Sequence, residues 1–199
     1  MLRACRNALS AAYVADVSRA VQERLLQSAS YAAATALVLY AAKDNEIQTG
    51  LIFAAALAAG RRVLFPRVLR ASGELLLVRV HGPAELAPGA FGVLEPTGAE
   101  TVPVASLGRA LICVPGLAFT PGGQRLGRGG GYYDRLLAGA GPQSLSAGLA
   151  YGFQVLDQLP QSLGDQRLNL ILTESTSYGA AALAQSPSRW TDQGGVPRC

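Results

Sequence analysis

The run GGQRLGRGGGYYDRLL, residues 122–137, holds the residues of this chain with the clearest chemical use. Its glycines allow several consecutive N–H groups to turn toward one point and form a nest around an anion. Arg125 and Arg128 stand among them. Their forked, permanently charged donors match phosphate oxygens. The spacing that follows is helical and predicts a helix from about Gly130 to Ala138. A helix N-terminus adds unpaired N–H donors and a partial positive charge. Asp134 then falls in the first turn, where it either holds a Mg²⁺ that bridges phosphate oxygens or only complements the helix dipole. The pattern predicts a phosphate loop. It is not a Walker A loop, because no Lys-Ser or Lys-Thr follows the glycines. It is not a dinucleotide fingerprint either, because the final glycine position is Tyr132. The alternative is a structural turn with a glycine-heavy helix entry, in which Tyr132 and Tyr133 pack and one of them is core.

The elements that must position this loop read as α/β. Leu2 to Leu26 carries apolar residues at three- and four-residue steps and predicts helix. Ala36 to Tyr40 predicts a buried strand, KDNE a polar turn, and Gly50 to Ala59 a helix with Thr49 before it and Gly60 as its stop. Arg62 to Val68 is the next strand. Strand, helix and strand form a βαβ crossover, which requires a parallel sheet. Glu74 to Val80 is a further strand, and 81–104 reads as irregular loops. Ala110 to Val114 is an apolar strand of the parallel kind. It delivers the glycine run to its carboxyl end, where open α/β sheets bind ligands. Ser146 to Tyr151 and Leu168 to Thr173 complete the sheet. The expected fold is a three-layer α/β/α single domain with a largely parallel central sheet over residues 1–174, followed by an irregular tail over 175–199.

Composition narrows the function classes. The chain has 199 residues, 50% hydrophobic and 15% charged, enough for one sizeable core and unlike a disordered protein. The net charge of +4 rests on dispersed arginines, and Lys43 is the only lysine. No basic block resembles a nucleic-acid tail; a small anionic ligand would explain the balance as well as a polynucleotide would, and so would a high-GC genome, which favours arginine over lysine. Cys5, Cys113 and Cys199 are far apart and lack CxxC spacing, which argues against a zinc site or disulfide framework. Cys113 reads as core. The sole histidine, His81, precedes a Gly-Pro turn and reads as structural, so no Ser-His-Asp or Cys-His pair is built on it. Trp190 falls in the tail and is assigned nothing. The apolar segment Leu51 to Ala59 is too short to cross a bilayer core of about 30 Å. The start of the chain lacks a secretory signal. These points predict a cytoplasmic monomer with no membrane or nucleic-acid partner.

VPGLAFTPGGQRLGRGGGYYDRLL resembles the signature of the 5-formyltetrahydrofolate cyclo-ligase family, also called methenyltetrahydrofolate synthetase. Arg125, Leu126, Gly127, Gly129, Gly131, Tyr132, Tyr133 and Asp134 fit that signature without a gap. LVLYAAKDNEIQT, FGVLEP, GLAYGFQ and DQRLNLILTES extend the likeness across Ser10 to Glu174. The resemblance implies ATP-dependent closure of 5-formyltetrahydrofolate to 5,10-methenyltetrahydrofolate, with phosphorylation of the formyl oxygen and release of ADP and phosphate. It implies that ATP is held by Arg3 and by Arg125, Leu126, Gly127, Arg128, Gly129, Gly130, Gly131, Tyr132 and Tyr133. It places the folate against Glu46, Arg128, Gly129, Gly130, Gly131 and Tyr132, gives Arg128 and Tyr132 the catalytic roles, and assigns Mg²⁺ to Asp134 and Asp165. A carboxylate such as Glu46 suits the amino-pyrimidinone edge of a pterin, which presents adjacent N–H donors. Members usually open with Lys-x-x-Leu-Arg, whereas this chain opens MLRACRNALS, with Leu2-Arg3 as the counterpart. Lys43 falls in a different segment from the family's nucleotide lysine, and Asn169 stands where an Asp is common. The expectation is a first helix that starts late. The alternative function is an N-terminally shortened, non-catalytic nucleotide- or folate-binding relative.

Overall fold

The computed structural model describes residues 2–69 and 72–179. In chain order the elements are α1 (Leu2–Asn7), α2 (Ala11–Leu26), α3 (Ala29–Ala33), β1 (Ala36–Val38), α4 (Gly50–Ala58), β2 (Arg62–Leu69) and β3 (Glu74–Arg79). There follow β4 (Leu86–Pro88), β5 (Leu94–Pro96), β6 (Thr101–Val102), β7 (Ala110–Val114), β8 (Ala118–Phe119), β9 (Arg125–Leu126), α5 (Tyr132–Gly139), β10 (Leu145–Leu149), β11 (Leu170–Leu172) and β12 (Ser177–Tyr178).

Alternation along the strands builds two cores. In β7 all five residues are buried, which requires cover on both faces. Leu111 and Cys113 point to one face, where they meet Leu37, Ala147, Val21 and Leu25 of α2 and Ile52 and Phe53 of α4. Ala110, Ile112 and Val114 point to the other, with Ala36, Val38, Ile171, Phe119 and Leu136 of α5. The result is the expected three-layer α/β/α arrangement. The main sheet has eight strands in the order β12-β11-β10-β7-β1-β2-β3-β6. The five from β11 to β2 are parallel, and the outer pairings are antiparallel.

The helical pattern predicted over Leu2–Leu26 is broken into two helices. Ser10 takes extended dihedrals, and its Oγ accepts the Tyr13 N–H at 3.2 Å, so the chain restarts there as α2. Gly60 ends α4 with φ +66°, as its position predicts. Thr49 stands at the N-cap of α4 but does not cap it; its hydroxyl donates to the Tyr40 carbonyl at 2.8 Å. The irregular stretch 81–104 contains the β4–β5 hairpin and the edge strand β6. These strands are two or three residues long, too short to leave an alternating pattern. At the start of the expected tail, β12 pairs with β11, and Tyr178 packs on the second core. Residues 180–199, with Trp190 and Cys199, lie outside the described residues.

From β1 the chain crosses through α4 to β2 on one side. From β7 it crosses through α5 to β10 on the other. Strands β1 and β7 are neighbours, so the strand order reverses between them. Ligands in open α/β sheets bind at the carboxyl ends beside such a reversal.

One close approach fixes the packing behind this point. A Cβ added at Gly148 in β10 would lie 2.6 Å from the Phe119 ring and 2.8 Å from Ile171 Cδ1. Gly148→Ala is expected to lower stability by about 1–3 kcal/mol through overpacking, read from chemical denaturation.

Candidate active site

At the carboxyl ends of β1 and β7 lies a cavity of about 990 Å³. Tyr40, Ala41, Lys43 and Glu46 line it from the loop after β1, and Pro115 and Gly116 from the turn after β7. The glycine run and the first turn of α5, residues 125–134, form one polar wall. Pro66, Val68 and Leu75 from the β2–β3 hairpin, with Val93 and Leu94 beside β5, form an apolar wall. Asp165 and Ser162 close the polar side.

The glycine run is folded by its own chemistry. Gly129 and Gly131 have φ of +89° and +62°, a region where a side chain is strained. Gly131 occupies the N-cap of α5, so the helix begins at Tyr132, two residues later than its spacing predicts. Gly130 leaves room for Tyr132: a Cβ there would lie 2.6 Å from the tyrosine ring. Tyr133, not Tyr132, packs against the second core.

Two of the three arginines of the run, Arg125 and Arg128, are ion-paired, and Arg135 lies over the Tyr132 ring, 5.2 Å from the centroid. The Arg125 side chain is 6% exposed, and its Nη2 lies 2.8 Å from Asp134 Oδ2. Its guanidinium also lies over the Tyr133 ring, 5.8 Å from the centroid. The other oxygen of Asp134 accepts the Gln166 N–H at 3.2 Å. Arg128 reaches across the cavity. Its Nη1 lies 2.9 Å from Asp44 Oδ2 and its Nη2 2.9 Å from Glu46 Oε1. Burial favours a higher pKa for the Asp44 carboxyl, but the hydrogen bond and charge of Arg128 outweigh it and hold that group below its ordinary value.

The turn KDNE aims these carboxylates. Asp44 and Asn45 have φ of +51° and +57°, left-handed positions that Asp and Asn tolerate better than most residues. Asn45 Nδ2 donates to the Arg6 and Leu9 carbonyls at 3.0 and 3.1 Å, tying the turn to α1. Glu46 is 8% exposed, and its Oε2 accepts the Lys43 N–H at 3.1 Å. Tyr40, beside it, donates its hydroxyl to the Ile47 carbonyl at 2.7 Å. Burial and then Glu46 push the Tyr40 phenol well above its ordinary pKa, and the same two causes raise Tyr133. Both phenols are therefore neutral near pH 7 and are not bases.

The structure gathers the glycine run, Glu46, Asp134 and Asp165 on one cavity. Arg3 is not on its lining; it is exposed and pairs with Asp44 at 3.3 Å. Lys43 also lines the cavity, from the segment after β1. His81 pairs on the surface with Glu100 at 3.5 Å, away from this wall. Arg6, to which the sequence pattern assigned no role, joins the site. It is 1% exposed, donates from Nε to the Asp44 carbonyl and from Nη1 to the Gly116 carbonyl, both at 2.9 Å, and holds Nη2 3.6 Å from Glu46 Oε1. The signal was an arginine at helical spacing between Leu2 and Leu9.

Among the described residues no group of three or more His, Cys, Asp or Glu gathers as a metal site. Asp134 and Asp165 nevertheless fit Mg²⁺ of the kind bound by one or two carboxylates together with substrate phosphates. Asp165 Oδ2 accepts the Ser162 N–H at 2.8 Å, and the next residue, Gln166, bonds Asp134. Each carboxylate keeps lone pairs beyond these bonds. No described helix is long and apolar enough to cross a membrane.

The model of the 5-formyltetrahydrofolate cyclo-ligase family matches residues 1–174. The chain belongs to this family. It is a ligase of folate one-carbon chemistry, with 5-formyltetrahydrofolate cyclo-ligase activity as the family's general function. It is 30% identical over 174 residues to a probable 5-formyltetrahydrofolate cyclo-ligase of Caenorhabditis elegans, covering 79% of this chain and 81% of that one. It is 28% identical over 180 residues to the 5-formyltetrahydrofolate cyclo-ligase of Escherichia coli K12, covering 88% and 97%. Its fold matches the NMR structure of Aquifex aeolicus 5,10-methenyltetrahydrofolate synthetase with a TM-score of 0.78 and 32% identity, over 96% of this chain and 93% of that one.

The tight contact at Gly130 gives a test of the wall itself. Gly130→Ala is expected to displace the Tyr132 ring and lower turnover by about tenfold. Because the site is at the surface of the fold, stability should change by no more than about 0.5 kcal/mol, read from thermal unfolding.

Proposed function

We propose that this protein catalyses the ATP- and Mg²⁺-dependent cyclisation of 5-formyltetrahydrofolate to 5,10-methenyltetrahydrofolate, releasing ADP and phosphate. The observation that carries this proposal is one cavity in which a glycine-rich helix entry faces a buried carboxylate suited to a pterin. The formyl oxygen is a poor leaving group. It attacks the γ-phosphorus of ATP and ADP departs. The neighbouring amine nitrogen then attacks the activated carbon. The carbon–oxygen bond breaks, phosphate leaves with that oxygen, and the amine proton is lost to the departing phosphate or to water.

The chain contributes position and charge, which dominate phosphoryl transfer. Residues 125–133 cradle the triphosphate with backbone N–H groups and the start of α5. Glu46 accepts the N–H donors of the pterin edge. Arg128, between the two, faces the oxygen that gains charge, and Tyr132 closes the wall beside it. Asp134 and Asp165 hold Mg²⁺, which when bound neutralises charge on the phosphate oxygens. Arg125 keeps Asp134 oriented through their 2.8 Å ion pair. The apolar wall of Val68, Leu75 and Leu94 suits the aromatic part of a folate.

Incubation with ATP, Mg²⁺ and 5-formyltetrahydrofolate should give the near-ultraviolet absorbance of the methenyl product, and omission of any one should abolish it. Absence of product across metal and pH conditions refutes the proposal. Asp134→Asn keeps the shape and the Gln166 bond but removes charge; it should lower turnover by at least about 100-fold. A near-normal rate would reduce Asp134 to a partner of Arg125.

A further inference from the structure

Arg6 is the most buried charged side chain described, and no step above uses it. Its guanidinium joins three segments: α1, which carries it; the turn after β1, through the Asp44 carbonyl; and the turn after β7, through the Gly116 carbonyl. Those two turns flank the strand-order reversal, so one side chain sets their spacing. Its third nitrogen, Nη2, is buried and has no hydrogen-bond partner. That nitrogen faces Glu46 Oε1 at 3.6 Å, while Arg128 takes the same oxygen at 2.9 Å. A buried donor left unpaired carries a desolvation cost, and a move of a few tenths of an ångström would satisfy it.

Arg128 belongs to the glycine run and is 40% exposed at its side chain, so it is the movable partner of Glu46; Arg6 is the fixed one. When a pterin or phosphate draws Arg128 away, Glu46 would be left a buried carboxylate without a full counter-charge. We infer that Arg6 is a positioning residue that takes over Glu46 from Arg128 on ligand binding, holding the carboxylate in place and aimed at the substrate. This rests on the proposal that Glu46 binds the folate. It assigns Arg6 no contact with either substrate.

The test is a double-mutant cycle on Arg6→Gln and Glu46→Gln, with Arg6→Lys as the charge-conserving variant. Calorimetric binding of 5-formyltetrahydrofolate and of ADP is measured separately on each full-length protein. Arg6→Gln should weaken folate binding by about tenfold and change ADP binding by less than about twofold. In the Glu46→Gln background, Arg6→Gln should add no more than about a twofold further loss. Arg6→Lys should recover most of the affinity. Equal losses for ADP and folate, additive losses in the double variant, or a Lys variant no better than Gln would each overturn the inference. If Arg6→Gln does not fold, Arg6→Lys runs the same cycle. It should then weaken folate by about threefold in the wild-type background only, and an equal loss in both backgrounds overturns the inference. Normal folate binding by Glu46→Gln alone refutes the underlying role of Glu46 instead.

Discussion

Two guanidinium groups converge on one buried carboxylate. Glu46 lies between Arg128, which reaches it from the glycine run, and Arg6, which reaches it from α1. A carboxylate at that depth is tolerated only with such partners. The partners come from segments about 40 and 80 residues away, so the ion network pins together parts of the chain that share no strand pairing. A second pair, Arg125 with Asp134, is local and ties the run to the helix it enters. Residues of both pairs line the same cavity.

The sheet puts these networks where they are. Because β1 and β7 are neighbours whose crossovers lead in opposite directions, their carboxyl ends leave a crevice that no helix fills. The turn after β1 supplies Asp44 and Glu46, and the turn after β7 leads through the β8–β9 hairpin to the glycine run. The left-handed pair Asp44 and Asn45 bends the first turn sharply enough for both carboxylates to reach Arg128. Here local strain is offset by hydrogen bonds from Asn45 to α1.

Much of this was legible in the sequence, and the reasons differ by element. The parallel strands announced themselves as short continuous apolar runs, and the glycine run carried its own phosphate chemistry. The largely parallel sheet and the α4 crossover follow from those, whereas the placing of β7 beside β1 does not. The break at Ser10 was overridden by apolar spacing that continues through it, although serine is a strong N-cap. Strands β4 to β6 are too short for periodicity. The site was legible only as a set of residue types. Nothing in residues 125 and 128 tells that one arginine folds back on Asp134 while the other spans the cavity; that depends on how the loop after β1 is turned. The role of Arg6 was hidden for the same reason. A single arginine in an apolar stripe looks like an ordinary surface charge until the two turns close around it.

Ligand binding requires Arg128 to move between partners. The most direct measurement is a crystal structure of the complex with ADP, Mg²⁺ and 5-formyltetrahydrofolate. The expected result is the pterin edge on Glu46, Arg128 withdrawn toward phosphate or formyl oxygen, and Arg6 Nη2 closed from 3.6 Å to hydrogen-bond distance of Glu46. A folate bound in the cavity with Glu46 still held by Arg128, and making no contact to the pterin, would contradict it.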